Sequence, residues 1–179
     1  MKIIKKIVFV ILSLIVLTLV SALFMRKDYA VEREITINKP KDSVFNYIKF
    51  LKNQDQFSVW AKKDPNMKKS FSGVDGTVGA IASWESQNAE IGTGEQEIKK
   101  IITDERMDME LRFTVPFEAT DKAYFITESV SANETKVKWG FNGTMAYPMN
   151  LMLTVMKVDE LLGNDLSEGL KNLKIILEK

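Results

Sequence analysis

Residues 105–115 read Glu-Arg-Met-Asp-Met-Glu-Leu-Arg-Phe-Thr-Val. Met107, Met109, Leu111, Phe113 and Val115 share one parity; Arg106, Asp108, Glu110, Arg112 and Thr114 share the other. Successive side chains of a strand point to opposite faces, so this pattern predicts a strand with one apolar and one solvated face. A sheet built from such strands must bury its apolar face against a second layer. The fold therefore depends on what flanks this stretch.

Toward the amino terminus the same signal recurs. Gly92-Thr-Gly94 opens a strand that runs to about Ile102, and Val78 to Glu85 carries Ala80, Ala82 and Trp84 on one parity. Met67 to Phe71 forms another, bounded by the turn Asp64-Pro-Asn66 and the hairpin turn Gly73-Val-Asp-Gly76. Earlier still, Val31 to Ile37 alternates until Asn38-Lys-Pro40 stops it. Val44, Phe45, Ile48 and Leu51 then recur at helical spacing, which predicts a short amphipathic helix over 41–51. Phe57 and Trp60 mark a further helical turn or a loop.

On the carboxyl side, Ala123 to Val130 and Thr135 to Phe141 are two more strands, joined by Ser131-Ala-Asn133. After Tyr147-Pro148, the residues Leu151, Met152, Val155, Met156, Leu162, Leu166, Leu170, Leu173 and Ile176 mark a stripe at steps of mostly three or four. One long amphipathic helix over about 150–177 is expected. Gly163 and Gly169 each cost such a helix up to about 1 kcal/mol, so they read as points where a sheet or ligand comes close. The order is a strand, one or two helices, a meander of about six antiparallel strands, then a long helix. The class is α+β, with a curved antiparallel sheet wrapped on the terminal helix.

Ahead of this domain, Ile7 to Phe24 carries no charge, and only Ser13, Thr18 and Ser21 interrupt the hydrocarbon. A helix rises about 1.5 Å per residue, so roughly 20 apolar residues cross a bilayer core. Lys2, Lys5 and Lys6 precede the run, and Arg26 and Lys27 follow it. An uncleaved transmembrane anchor over 1–27 is expected, with the domain over 28–179. The rival is a cleaved signal peptide, with Val20-Ser21-Ala22 as a loose cleavage site; the length of the run and its continuation through Leu23-Phe24 count against that. Basic residues on both flanks leave the positive-inside rule undecided. The export-like front end favours a single-pass membrane protein with an extracytoplasmic domain.

Composition narrows the chemistry. The chain has no cysteine and no histidine, which excludes disulfides, thiolate nucleophiles, Cys/His zinc sites and imidazole acid–base catalysis. The 25 Lys and Arg against 24 Asp and Glu, well mixed, suggest no basic face, so nucleic acid is a poor partner. No cofactor is implied.

The ordered set Ile35-Thr-Ile-Asn-Lys-Pro40, Phe57-Ser-Val-Trp60, Phe71-Ser-Gly73, Gly76-Thr-Val-Gly79, Ser83-Trp-Glu85, Gly92-Thr-Gly-Glu-Gln-Glu-Ile98, Leu111-Arg-Phe113, Thr135-Lys-Val-Lys-Trp139 and Gly169-Leu-Lys-Asn-Leu-Lys174 resembles the START-like superfamily. That superfamily includes polyketide cyclases, SRPBCC domains and Aha1-type domains; the chain looks most like the membrane-anchored bacterial SRPBCC proteins. No single piece is a catalytic motif. The resemblance implies a helix-grip fold with an apolar cavity between the sheet and the last helix. It also implies lipids, sterols, polyketides or quinones as ligand classes, with some members being enzymes.

On that basis Trp60, Phe71, Trp84, Leu111, Phe113, Phe125, Trp139, Phe141, Met152 and Met156 are expected to line a ligand cavity. For any one of them plain core packing is the simpler reading. Glu95 and Glu97 share a strand face, as do Asp108 and Glu110, and paired carboxylates can do acid–base work. An enzyme of cyclase or hydratase type would use Glu95, Glu97 or Tyr124 facing inward. Asp108 and Glu110 lie opposite the apolar face of their strand and read as solvated. Asp75, Gly76 and Gly79 lack the Gly-Lys-Ser/Thr ending of a phosphate loop and read as a hairpin. The leading expectation is a noncatalytic, membrane-held binding domain for an apolar small molecule or lipid. An enzyme and an Aha1-type protein-interaction module are the alternatives.

Overall fold

The computed structural model describes residues 2–179. Helix α1 (Lys2–Phe24) leads into strand β1 (Asp28–Ile37), then three short helices, α2 (Lys41–Ile48), α3 (Leu51–Phe57) and α4 (Val59–Lys63). Strands β2 (Lys68–Ser72), β3 (Ile81–Glu85), β4 (Thr93–Ile102), β5 (Arg106–Val115), β6 (Ala119–Ser131) and β7 (Glu134–Thr144) follow, and α5 (Leu151–Val155) and α6 (Val158–Leu177) end the chain. The strands form one seven-stranded antiparallel sheet in the order β1-β7-β6-β5-β4-β3-β2, so the stretch quoted first is its central strand. β2 to β7 make the meander, and β1 closes it by pairing with β7. Register shifts interrupt the β4–β5 ladder near Gly94 and between Ile98 and Lys100, and such bulges bend a sheet.

The apolar parity of each strand faces α2, α3 and α6. Ile37, Ile98, Met107, Phe125, Val137, Leu166 and Leu173 are all fully buried there. Trp139 is the hub: its ring stacks on Phe125 at 4.8 Å and meets Phe57 and Trp60 edge-on at 5.6 and 5.8 Å. The two glycines of α6 serve this contact. A Cβ on Gly169 would lie 2.6 Å from the Trp139 ring, and one on Gly163 would overlap the Arg33 guanidinium of β1. Of the two expected visitors, sheet or ligand, it is the sheet that comes close. Lys174 Nζ donates to the Thr36 carbonyl (2.7 Å) and Asn172 Nδ2 to that of Phe57 (3.1 Å), fastening α6 to β1 and to the end of α3.

Two expected helices are broken. The terminal helix is divided at Lys157, whose φ of +49° lies in the left-handed region, so α5 and α6 do not share one continuous stripe. The helix expected over 41–51 ends at Ile48. Phe50 is extended, and α3 restarts because Asp75, from the β2–β3 turn, accepts the backbone N–H groups of Leu51 (2.7 Å) and Lys52 (3.3 Å). That is an N-terminal cap delivered from a distant turn. Gly76 allows it: φ is +80°, and a Cβ there would press on the Phe50 ring. The Asp75–Gly76 pair is thus a helix support.

Candidate functional site

Between the inner face of the sheet, α3, α4 and the first turns of α6 lies a hollow of about 360 Å³. Ligand sites typically occupy a few hundred cubic ångströms and are mostly apolar with a few placed polar groups. Leu111, Phe113, Ala123, Trp139 and Phe141 form the sheet wall, and Trp60, Val158, Leu161 and Leu162 form the helix side. Trp84 and Phe113 meet edge-on at 5.8 Å on the β3 side. Phe71, 39% exposed on edge strand β2, and Leu161, 52% exposed on α6, stand at its open rim.

Of the residues expected to line a cavity, Trp60, Phe71, Trp84, Leu111, Phe113, Trp139 and Phe141 come together around this hollow. Phe125, Met152 and Met156 do not. Phe125 is wholly buried beneath Trp139 and Phe57. Met152 and Met156 belong to α5 and its end; the break at Lys157 takes that segment away from the wall and leaves Met156 half-exposed.

Of the polar groups of the hollow, Trp84 is among the expected lining; Gln54, Gln96, Asp121 and Tyr29 are not. Gln96 of β4 donates its side-chain amide to Gln54 of α3 (2.8 Å), and Gln54 is itself buried. The indole N–H of Trp84 is buried with no partner among the described residues. Asp121 of β6 is only 6% exposed; its Oδ2 accepts from the Tyr29 hydroxyl at 3.1 Å, while its Oδ1 is buried without a hydrogen-bond partner among the described residues. Burial pushes the Asp121 carboxyl above its ordinary value, against smaller opposing pulls from Tyr29 and the Thr144 backbone. Burial, with the Asp121 charge beside it, also raises the Tyr29 phenol. A signal existed: the inward parity of Ala123, Phe125 and Thr127, carried back one step, reaches Asp121. The expected strand began only at Ala123.

This architecture is shared. The chain superposes on a solved protein from Nitrosospira multiformis with a TM-score of 0.58 at 17% identity, covering 82% of this chain and 94% of that one. It matches the Aha1 dimer from Colwellia psychrerythraea at 0.55 and 16%, covering 84% and 96%. It matches norcoclaurine synthase from Thalictrum flavum, solved in complex with dopamine and hydroxybenzaldehyde, at 0.58 and 9%, covering 84% and 87%. The chain has the START-like helix-grip fold. Neither a protein-family model nor a curated protein matches the sequence.

In this helix grip the candidate acid–base groups lie on the outer face of the sheet, away from the hollow. Glu95, Glu97 and Glu110 converge on Arg112, whose Nε donates to Glu95 at 2.7 Å and whose Nη1 donates to Glu97 at 2.8 Å and to Glu110. Hydrogen bonds from Arg112 and Lys99 hold the Glu97 carboxyl below its ordinary range, the reverse of what an inward general acid needs. Tyr124 also faces outward, donating to Glu32 at 2.6 Å beneath the Arg106 guanidinium; burial and Glu32 push its phenol up to about 12. The enzyme alternative, which needs Glu95, Glu97 or Tyr124 at the hollow, therefore lacks its groups there. Glu95 and Glu97 stand on the odd-numbered, outer parity of β4, and Gly94, Gln96 and Ile98 take the inner one.

The grip also holds the end of α1, a helix long and apolar enough to cross a membrane by length and composition, features that a signal sequence shares. Asn150 is fully buried, and its Nδ2 donates to the carbonyl of Ala22 at 2.7 Å, with Met25 O at 3.3 Å. A helix end leaves its last carbonyls short of donors, and that of Ala22 otherwise has only a long bond (3.4 Å) from the Met25 N–H. Ala22 is itself fully buried, and Arg26 forms an ion pair with Asp159 at the start of α6.

Proposed function

We propose that the chain is a membrane-tethered, noncatalytic binding domain that takes an apolar small molecule or lipid into the hollow. Residues 1–27 are the anchor and 28–179 the binding domain. The observation that carries the reading is the aromatic-walled space of about 360 Å³ between the sheet and α6. Each methylene moved there from water contributes about 0.8 kcal/mol, so a modest apolar body supplies useful affinity without any specific contact. An interaction module of the Aha1 type is less well supported, because it expects side chains filling that space. An enzyme working through Glu95, Glu97 or Tyr124 is less well supported because those groups face outward.

Strand directions support the tethered geometry. The start of β1, the end of β7, the β5–β6 turn and the β3–β4 turn all fall at one end of the sheet, and α1 leaves from that end. Exposed apolar side chains gather in the segments there: Val115 at the end of β5, Phe117 in the β5–β6 turn, and Tyr147, Val155 and Met156 around α5. A bilayer entered by α1 would lie against them, and Ile91 and Leu161 of the hollow's lining would be near its surface.

The test is native mass spectrometry of the full chain released from nanodiscs made with cellular lipid extract. Adducts of defined apolar mass are expected. Ala82→Phe, which fills the hollow from β3, should remove them while the melting temperature is kept. A wild-type protein that is always empty overturns the reading.

A further inference from the structure

Asp121 is a buried carboxyl that neither the packing nor the proposed binding of hydrocarbon explains. It sits in an inward row that crosses the sheet as Ala82, Gln96, Leu111, Asp121, Gly143 and Tyr29. No lysine or arginine pairs with it among the described residues. Lys122, next to it in sequence, faces the opposite side and is exposed; Lys63 and Lys69 at the hollow are engaged by Asp165 and Asp55. One carboxylate oxygen already has its donor, Tyr29; the other, feeling only a weak pull from the Thr144 backbone, has no hydrogen-bond partner among the described residues. Buried charges are ordinarily paired and buried acceptors ordinarily satisfied. Around this point the wall is hydrocarbon: Leu111, Phe113, Ala123 and Phe141.

We infer that Asp121, oriented by Tyr29, is the polar recognition point of the hollow and accepts the hydrogen-bond-donating end, hydroxyl or ammonium, of a ligand with an otherwise apolar body. This rests on the binding function proposed above and narrows its ligand class. The row of six holds one carboxylate; its other polar members are Gln96, whose amide donates to Gln54, and Tyr29, which donates to Asp121 itself, so the ligand has its donor at the end that meets Asp121. A site built around a buried acceptor rejects the analogue that lacks the donor, because the acceptor is then left unpaired. A ligand ending in a carboxylate brings further acceptors and no donor for Asp121, so its polar end gains nothing here.

The test uses the full chain in nanodiscs and four probes with one aromatic body: ethylnaphthalene, naphthaleneethanol, naphthaleneethylamine and naphthaleneacetate. Binding is titrated calorimetrically, with empty nanodiscs as the partition blank. The alcohol and the amine should each bind about ten-fold tighter than ethylnaphthalene, and the acetate weakest. The order of alcohol and amine tells whether the donor is neutral or charged, and either order supports the inference. Asp121→Leu should abolish the preference for a donor while ethylnaphthalene still binds. Should that variant lose its circular dichroism, Asp121→Asn keeps the shape and should abolish the amine's advantage. Tyr29→Phe should keep the preference, since both carboxylate oxygens are then free for the ligand. Equal wild-type affinity for ethylnaphthalene and naphthaleneethanol overturns this inference and leaves the hollow intact as a binding site. Failure of all four probes to bind removes the underlying function instead.

Discussion

Tyr29 on β1 and Asp121 on β6 meet across the strand between them, over Gly143 of β7. Backbones two strands apart are separated by roughly 10 Å, a gap that a tyrosine spans only if the intervening residue has no side chain. A Cβ on Gly143 would overlap both the Asp121 carboxylate and the Tyr29 ring. The device recurs on the outer face, where Tyr124 reaches over Gly140 to Glu32. Gly143→Ala and Gly140→Ala should each lower stability by about 1–3 kcal/mol in urea denaturation, because they overpack a fixed contact. Wild-type midpoints for both would mean that the tyrosines do not lie where described.

The raised Asp121 carboxyl gives stability a definite pH dependence. A carboxyl whose folded pKa exceeds its unfolded value binds its proton more tightly when folded. Its contribution is fully present below the ordinary value near 3.8 and is lost as pH rises through the folded value. Replacing it with a group that does not titrate removes that slope. Relative to wild type, Asp121→Asn should therefore gain stability on going from about pH 4 to neutrality. Thermal melts across that range check the sign; a wild-type curve parallel to the variant's would refute the shift.

Arg112 holds three carboxylates, Glu95, Glu97 and Glu110, on the outer face. Arg112→Met leaves three like charges together and should cost about 1 kcal/mol, an effect that shrinks in 1 M salt as screening shortens to about 3 Å. Glu97 should then titrate higher by carboxyl NMR, since its hydrogen bond from Arg112 is the main cause of its lowered pKa. Ligand uptake should not change, because the cluster lies on the far side of the sheet from the hollow.

Asn150 is the clasp between α1 and the grip. Asn150→Ala leaves the Ala22 and Met25 carbonyls without their side-chain donor, and the junction should open more often. Trypsin cleavage after Arg26 and Lys27 should rise about ten-fold, the equivalent of roughly 1.4 kcal/mol, with the global midpoint of the domain little changed. Unchanged cleavage would show that the junction is held some other way.

Legibility followed the range of the interactions. The parity of Met107, Met109 and Leu111 named a strand face because it depends only on neighbours two residues apart, and these three are buried as expected. The stripe of Leu166, Leu170 and Leu173 named α6 for the same reason. The break at Lys157 was missed, since spacing of apolar residues is insensitive to one left-handed residue. Phe125 was assigned to a cavity wall because a large inward aromatic looks the same in sequence whether it borders space or fills it. Glu95 and Glu97 were left ambiguous because the parity of β4 is blurred by its bulges.

From sequence came the apolar segment over 7–24, the alternating strands, the terminal amphipathic helix and the exclusion of thiol and imidazole chemistry, all properties of composition or short-range periodicity. Only the tertiary structure decided that a hollow exists, that Asp121 and Tyr29, 92 residues apart, share its wall, and that Asn150 grips Ala22 from 128 residues away. Those depend on strand register and on the volume left between layers. No local pattern encodes them, because they are set by how distant segments fit against one another.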